Sequence, residues 1–180
     1  MSTDELLSRV DALTAAIARR RRDDLACRRG CTACCHVQLS LSPLEAERVQ
    51  GALRAGDPGL RERVRARAQA LAAQEQVPAQ APCVMLEEDG HCAVYAARPL
   101  VCRTQGHALR YPKGTLPPEM VFATAGAGEI TWCPLNYVDT PPRNEDVLEA
   151  ERIDLLGGRA CLDAGRDPLT RVSMIDLAGE

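Results

Sequence analysis

Four cysteines fall within nine residues: Cys27, Cys31, Cys34 and Cys35, the last two adjacent. Cys83, Cys92, Cys102 and Cys133 follow, and Cys161 stands apart. Nothing else in the 180 residues constrains the fold as strongly. An odd number of thiols cannot pair fully within one chain. Soft thiolate donors at this density suit zinc, copper(I) or an iron–sulfur cluster. A tetrahedral zinc site takes four nitrogen or sulfur ligands, and a cubane cluster takes four thiolates. Eight cysteines, as four plus four, can therefore serve one centre or two. Adjacent side chains diverge in regular backbone. Cys34 and Cys35 are thus expected to serve different centres, or one to ligate while the other packs.

Composition narrows the class. Aromatic residues make up only 3% of the chain against 46% apolar residues, so the core must be aliphatic and thin. Bound metal would compensate, because metal affinity is also folding free energy. The net charge is −3, and Lys113 is the single lysine among 22 basic residues. Arginine is interspersed with Asp and Glu except at Arg19–Arg22, which Asp23 and Asp24 follow. That run is expected to be a solvated helix end carrying cations at the favourable pole, not a nucleic-acid patch. The first residues are acidic, with no apolar leader, and no run of 18 apolar residues occurs. The expected compartment is the reducing cytoplasm, where thiols serve as ligands or redox groups more often than as disulfides.

Along the chain, residues 3–22 read as an amphipathic helix opened by Ser2 and Glu5, with Leu6, Leu7, Val10, Leu13 and Ile17 on one face. Gly30 interrupts the first cysteine group and supplies backbone freedom. Val37, Leu39 and Leu41 alternate with polar residues, predicting a short extended segment. Ser42-Pro43-Leu44-Glu45 starts a helix that should end near Gly56. Asp57-Pro58 starts another, with Leu60, Val64, Ala68 and Leu71 inward. Val77–Pro82 is a loop. Cys83–Cys92 predicts a small hairpin turning at Asp89-Gly90, aiming two thiols at one metal. Pro99 should open a short helix around Cys102. Residues 109–120 are expected to be an irregular loop, and Val121–Ile130 is ambiguous. Residues 144–156 predict a helix ended by Gly157-Gly158, and Asp167-Pro168 a last short one. No alternation of strand and helix suggests a parallel sheet.

Arg28, Arg29, Arg98 and Arg103 lie beside cysteines, where guanidinium groups would steady a net-negative thiolate centre. His36 and His91 each neighbour a cysteine, and His107 does not. With eight thiols available, none of the three is needed as a ligand. Cys161 is expected in a loop or turn as a spare thiol, and its replacement by serine should leave metal content intact.

Cys27-x₃-Cys31-x₂-Cys34-Cys35 followed by Leu39-Ser40-Leu41-Ser42-Pro43-Leu44-Glu45-Ala46 resembles the cysteine-cluster zinc- or iron-chelating family, the YkgJ-like CxxCxxCC proteins. Cys92-x₂-Tyr95-x₂-Arg98-Pro99-x₂-Cys102-Arg103 is similar to that family's second signature, and Cys83 sits where the family places another cysteine. The first spacing is x₃, not the x₂ of the family's short name. The resemblance spans roughly residues 25–135 and implies a bound metal or iron–sulfur centre of undefined biochemical role. Similar patterns occur in flagellin lysine N-methylases, for which this chain is short.

The expected fold is mainly α with a small β-hairpin: an irregular single domain over 1–180, with a metal-binding core at 25–135 and a helical extension at 140–180. The expected ligands are Cys27, Cys31, Cys34, Cys35, Cys83, Cys92, Cys102 and Cys133, holding zinc or an iron–sulfur cluster. At least one cysteine of 27–35 and two of 83–133 should share a sulfur cluster, faced by Cys34 or Cys35. No catalytic residues emerge, and whether the chain is an enzyme stays open. An enzyme using an iron–sulfur centre is the alternative, since Cys27-x₃-Cys31-x₂-Cys34 matches the spacing of radical S-adenosylmethionine enzymes. Ala33 stands where they usually carry an aromatic residue, and their repeating strand–helix units are missing. Soft-metal storage or delivery is the third possibility, marked by exposed, exchangeable thiols. Protein partners, beyond the metal itself, are not specified by the sequence; neither a membrane nor a nucleic acid is expected.

Overall fold

The computed structural model describes residues 2–28 and 30–179. The chain is 45% helical with 12% strand, the mainly α composition expected. In chain order the elements are α1 (Thr3–Arg20), β1 (Ser40–Leu41), α2 (Pro43–Ala55), α3 (Pro58–Ala72), α4 (Leu100–Thr104), β2 (Ala108–Pro112), β3 (Ala123–Ala125), β4 (Gly128–Thr131), β5 (Val147–Glu149), α5 (Ala150–Asp163), β6 (Val172–Ser173) and α6 (Met174–Gly179). Backbone contacts group them into two compact units: Met1–Cys27 with Leu100–Ala160, and Arg28–Pro99 with Cys161–Glu180. No helix among the described residues is long and apolar enough to cross a membrane.

In the first unit, α1 begins where the Ser2 hydroxyl accepts from the Glu5 N–H at 3.2 Å, satisfying one orphan donor of the first turn. Leu6, Leu7, Val10 and Ile17 are buried, whereas Leu13 of the expected stripe is 54% exposed. A four-stranded sheet has the order β3-β4-β2-β5. β2 is antiparallel to β4, with Leu109 opposite Thr131, and parallel to β5, with Leu109 opposite Leu148. This departs from expectation twice. The supposed loop 109–120 begins as the central strand β2, and a parallel pair exists. Four short strands with prolines and glycines at their ends leave almost no period-2 pattern to detect. The ambiguous stretch 121–130 holds the β3–β4 hairpin, turning at Gly126 with φ +59°.

The predicted helix 144–156 opens instead as a 3-10 turn (Asn144–Asp146) and β5, and α5 then runs through Gly157 and Gly158. Helix interiors tolerate glycine at a cost of about 1 kcal/mol, and at Gly157 an added Cβ would sit 3.2 Å from the Leu100 side chain.

The arginine run is not simply solvated. Arg22 is exposed, but Arg21 is 7% exposed. Its guanidinium donates to the carbonyls of Thr140 (3.0 Å) and Pro141 (2.8 Å) and pairs with Asp24 and with the fully buried Asp146. Arg20 also meets Asp146, at 3.1 Å.

In the second unit, α2 starts with a reciprocal bond between Ser42 and Glu45 and stops at Gly56. α3 starts at Asp57, whose carboxylate accepts from the Leu60 N–H. Val49, Val64, Val84 and Met85 are at most 1% exposed and share one core with Leu41, Met174 and Leu177. Each such side chain contributes roughly 1.5–3 kcal/mol by leaving water. The extended segment predicted around Leu39 is β1, paired with β6 through Leu41 and Val172. Asp167-Pro168 is a turn and not a helix start; the last helix, α6, begins at Met174. Val172 and Ser173 are claimed by β1 first, and Ser173 then accepts from the Ile175 N–H as α6 begins.

Candidate metal centre

Cys31, Cys34, Cys35, Cys83 and Cys92 belong to the second unit; Cys27, Cys102 and Cys133 belong to the first. None of the nine cysteines is in a disulfide. The first cysteine segment is a pair of tight turns: the Cys31 N–H donates to Arg28 O (2.9 Å) and the Cys35 N–H to Thr32 O (2.8 Å). Gly30 has φ +88°, so the freedom expected of it is used. Arg29 lies outside the described residues, so its expected place beside the thiols has no structural counterpart here.

The predicted hairpin from Cys83 to Cys92 is a turn closed by one antiparallel bridge, Leu86 to Cys92, and not two strands. Its bonds are Glu87 N–H to His91 O (2.8 Å), Gly90 N–H to Glu87 O (3.0 Å) and Ala93 N–H to Met85 O (2.7 Å). Val84 and Met85 turn into the core instead of continuing a ladder. Gly90 sits at the tip with φ +79°, and a Cβ there would meet the Thr32 methyl at 3.4 Å. The Cys83 N–H donates to Cys35 O at 2.8 Å. That hydrogen bond fastens the turn to the first cysteine segment. α3 holds it from another side, through Arg63 and Arg67 on Glu87 and Arg67 on the Val84 carbonyl (2.9 Å). Burial would raise the Glu87 carboxyl, but the hydrogen bonds from Arg67 and Arg63 outweigh it and hold the group below its usual range.

The thiols of this unit act on one another. Cys34 is pushed far above its ordinary pKa, first by a hydrogen bond with the Cys35 thiol, then by burial and by the charge of Cys35; Arg98 opposes. Cys83 is raised chiefly by burial, with the charge of Cys34 adding, while the Met85 N–H and Arg67 oppose. Cys92 is raised by burial, with the charge of Cys83 adding, while the Val94 N–H and Arg98 oppose. Cys34, Cys35, Cys83 and Cys92 are thus linked electrostatically in series. The divergence expected of Cys34 and Cys35 does not occur, because they lie in a turn and not in helix or strand. Among the described residues, no group of three or more His, Cys, Asp or Glu side chains is arranged to hold a metal ion. The donor set still fits a soft metal: Cys34, Cys83 and Cys92 hold their protons more tightly than ordinary thiols beside Cys35, and a cation would replace those protons with attraction.

In the first unit, Cys27 is held by a residue that belongs to neither cysteine motif. Asn136, 1% exposed, donates from Nδ2 to Cys27 Sγ (3.3 Å) and to Gly106 O (2.7 Å) and accepts from the Ala26 N–H (2.8 Å). The Asn136 N–H donates to Cys133 O at 2.8 Å. Tyr137 follows in the left-handed region, φ 55°, and its N–H donates to Asp24 O at 2.7 Å. Its phenol is pushed up to about 12, chiefly by burial and by Asp146. Only an asparagine placed three residues after Cys133 hints at this arrangement in sequence.

The two arginines of the second signature part company. Arg98 favours the thiolates of Cys34 and Cys92 and lies over the Tyr95 ring, 3.6 Å from its centroid. Arg103 is 8% exposed and pairs with Asp11 of α1. His36 Nδ1 lies 3.1 Å from Thr32 O, His91 pairs with Asp89 at 2.9 Å, and His107 is held neutral-favouring by burial. Cys161 is 1% exposed in the last turn of α5, so it is a buried helical residue and does not lie in the loop or turn expected of it.

A family model described as "Putative zinc- or iron-chelating domain", CxxCxxCC, matches residues 26–133. The chain belongs to this family. The match spans the stretch from just before Cys27 through Cys133 and leaves Cys161 outside. No match was found among curated proteins or among solved structures.

Proposed function

We propose that this CxxCxxCC protein chelates zinc or iron through cysteine thiolates. Cys34, Cys35, Cys83 and Cys92 would supply four thiolates within the second unit, and Cys31 lies one turn away on the same segment. The observation that carries this is the mutual action of those four thiols, on backbone segments fastened to each other by the Cys83–Cys35 hydrogen bond. Cys27, Cys102 and Cys133 are proposed as the thiol ligands of the first unit. When bound, the metal would supply the positive charge that lets neighbouring thiols ionise together. Arg67 and Arg98 would offset the remaining negative charge of a four-thiolate centre from outside it. A chain rich in cysteines that serve as metal ligands suits a reducing, cytoplasmic setting.

Anaerobic purification followed by elemental analysis and a visible spectrum tests this directly. Colourless protein with stoichiometric zinc, or brown protein with iron and acid-labile sulfide, is the expected pair of outcomes, and each excludes the other centre. Protein purified anaerobically that binds neither metal under any loading condition would end the proposal.

A further inference from the structure

We infer that Asn136 is a positioning residue for the sulfur of Cys27, fixing it as a ligand. This rests on the assignment of Cys27 to the proposed ligand set.

Every hydrogen-bonding atom of the Asn136 side chain is used. Oδ1 accepts from the Ala26 N–H, and the two Nδ2 hydrogens go to Gly106 O and to Cys27 Sγ. The amide orientation is fixed by its partners, since Gly106 O can only accept and Ala26 N–H can only donate. The same side chain therefore holds the backbone one residue before Cys27 and the sulfur itself. Gly106 completes the cradle. A Cβ there would lie 2.6 Å from Cys27 Sγ, and its φ of +96° is one that other residues rarely adopt. The sulfur thus occupies space that only a glycine leaves open, under a donor that is itself buried. The left-handed backbone at Tyr137 is local strain of the kind that structure maintains where a neighbouring group must be aimed. A buried amide donor on a sulfur orients that sulfur and stabilises its anionic form. Groups that hold a metal's ligands in this way typically matter by 10–100-fold in affinity.

The experiment is a double-mutant cycle on the full-length protein, with zinc(II) affinity read by chelator competition. Asn136→Asp keeps the shape and the acceptor for Ala26 but removes both Nδ2 donors, the one to sulfur and the one to Gly106 O. In the wild-type background, N136D should weaken zinc binding by about 10-fold or more. In a Cys27→Ser background it should weaken binding no further, because its effect runs through that sulfur. Equal losses in both backgrounds would overturn the inference and leave Asn136 merely structural, as would no loss in either. If C27S by itself leaves affinity unchanged, Cys27 is not a ligand; the assignment on which the inference rests then falls first. Should N136D not fold, Asn136→Ser, smaller and uncharged, is read in the same cycle with the same outcomes.

Discussion

Replacing Cys83 by serine should abolish most of the stability that metal contributes while leaving the apo fold nearly intact. The backbone of Cys83 is anchored by its N–H on Cys35 O, and its neighbours Val84 and Met85 stay buried whatever its side chain. The turn therefore keeps its place, and what is lost is one of the four soft ligands proposed for this unit. A metal present at about 1,000 times its dissociation constant stabilises by roughly 4.1 kcal/mol. A loss of about 100-fold in affinity would remove approximately 2.7 kcal/mol of that. For a chain of this size, each kcal/mol moves the melting temperature by about 2–4 °C, so the metal-loaded form should melt roughly 5–11 °C lower. The assay is calorimetry of wild type and C83S, each with and without metal. Cys161→Ala is the control: it opens a small void beneath α5 and should lower both melting temperatures about equally, by about 1–2 kcal/mol, with full metal content retained. C83S protein with wild-type stoichiometry and an undiminished gap between loaded and apo melting would refute the reasoning. So would C161A protein that loses metal.

Metal affinity should rise with pH, because Cys34, Cys83 and Cys92 hold their protons more tightly than ordinary thiols, and each proton displaced contributes about a factor of ten per pH unit; chelator competition at several pH values measures it, and a flat profile would count against thiolate ligation. The apo protein should show the opposite trend: a raised folded-state pKa stabilises below the ordinary thiol range and loses that contribution as pH climbs through it, so apo melting should fall at alkaline pH. Asp146→Asn should cost about 3 kcal/mol, at the lower end for breaking a buried pair, because Arg21 keeps Asp24 and two carbonyls; urea unfolding reads it. Gly90→Val should weaken zinc binding, since φ +79° strains a β-branched residue and the added bulk meets Thr32, loosening the turn that carries Cys83 and Cys92; unchanged affinity would separate the turn tip from the site.

The long helices were legible because capping and periodicity agree in them. Ser42-Pro43-x-Glu45 and Asp57-Pro58 each mark a start, and Val49, Val64 and Ala68 fall on buried faces. The first-unit sheet was not, since strands of three to five residues pair at long range and carry too few positions for alternation to register. Gly157-Gly158 misled for a related reason: composition favours a stop there, but α5 has packing on its glycine side, against Leu100, and continues. At the site, the cysteines and Arg98 were legible by type and spacing. Asn136, Gly106 and Arg67 were not, because each matters through a partner 17 to 109 residues distant, and nothing in the local sequence reports that distance.

The placing of the cysteine motifs follows a physical logic of its own. The chain passes from the first unit to the second after Cys27 and back after Pro99, so each family motif contains one of these passages. The described residues of 25–39, except for their tight turns, have no helix or strand. Their ordering cannot come from a regular hydrogen-bond ladder, and regions of this kind sit at the low end of local stability. The second motif shows how the sequence answers that problem on each side of the passage. Arg98, just before it, offsets thiolate charge at Cys34 and Cys92. Arg103, just after it, is buried and spends its charge on Asp11 of α1. One short signature thus serves the proposed centre with its first arginine and a helix packing with its second. Substituting Arg98 should therefore lower metal affinity more than apo stability, and substituting Arg103 the reverse. Arg98→Gln and Arg103→Gln, compared by zinc competition and by apo melting, separate the two roles; identical profiles for the pair would show that the motif's arginines act as one.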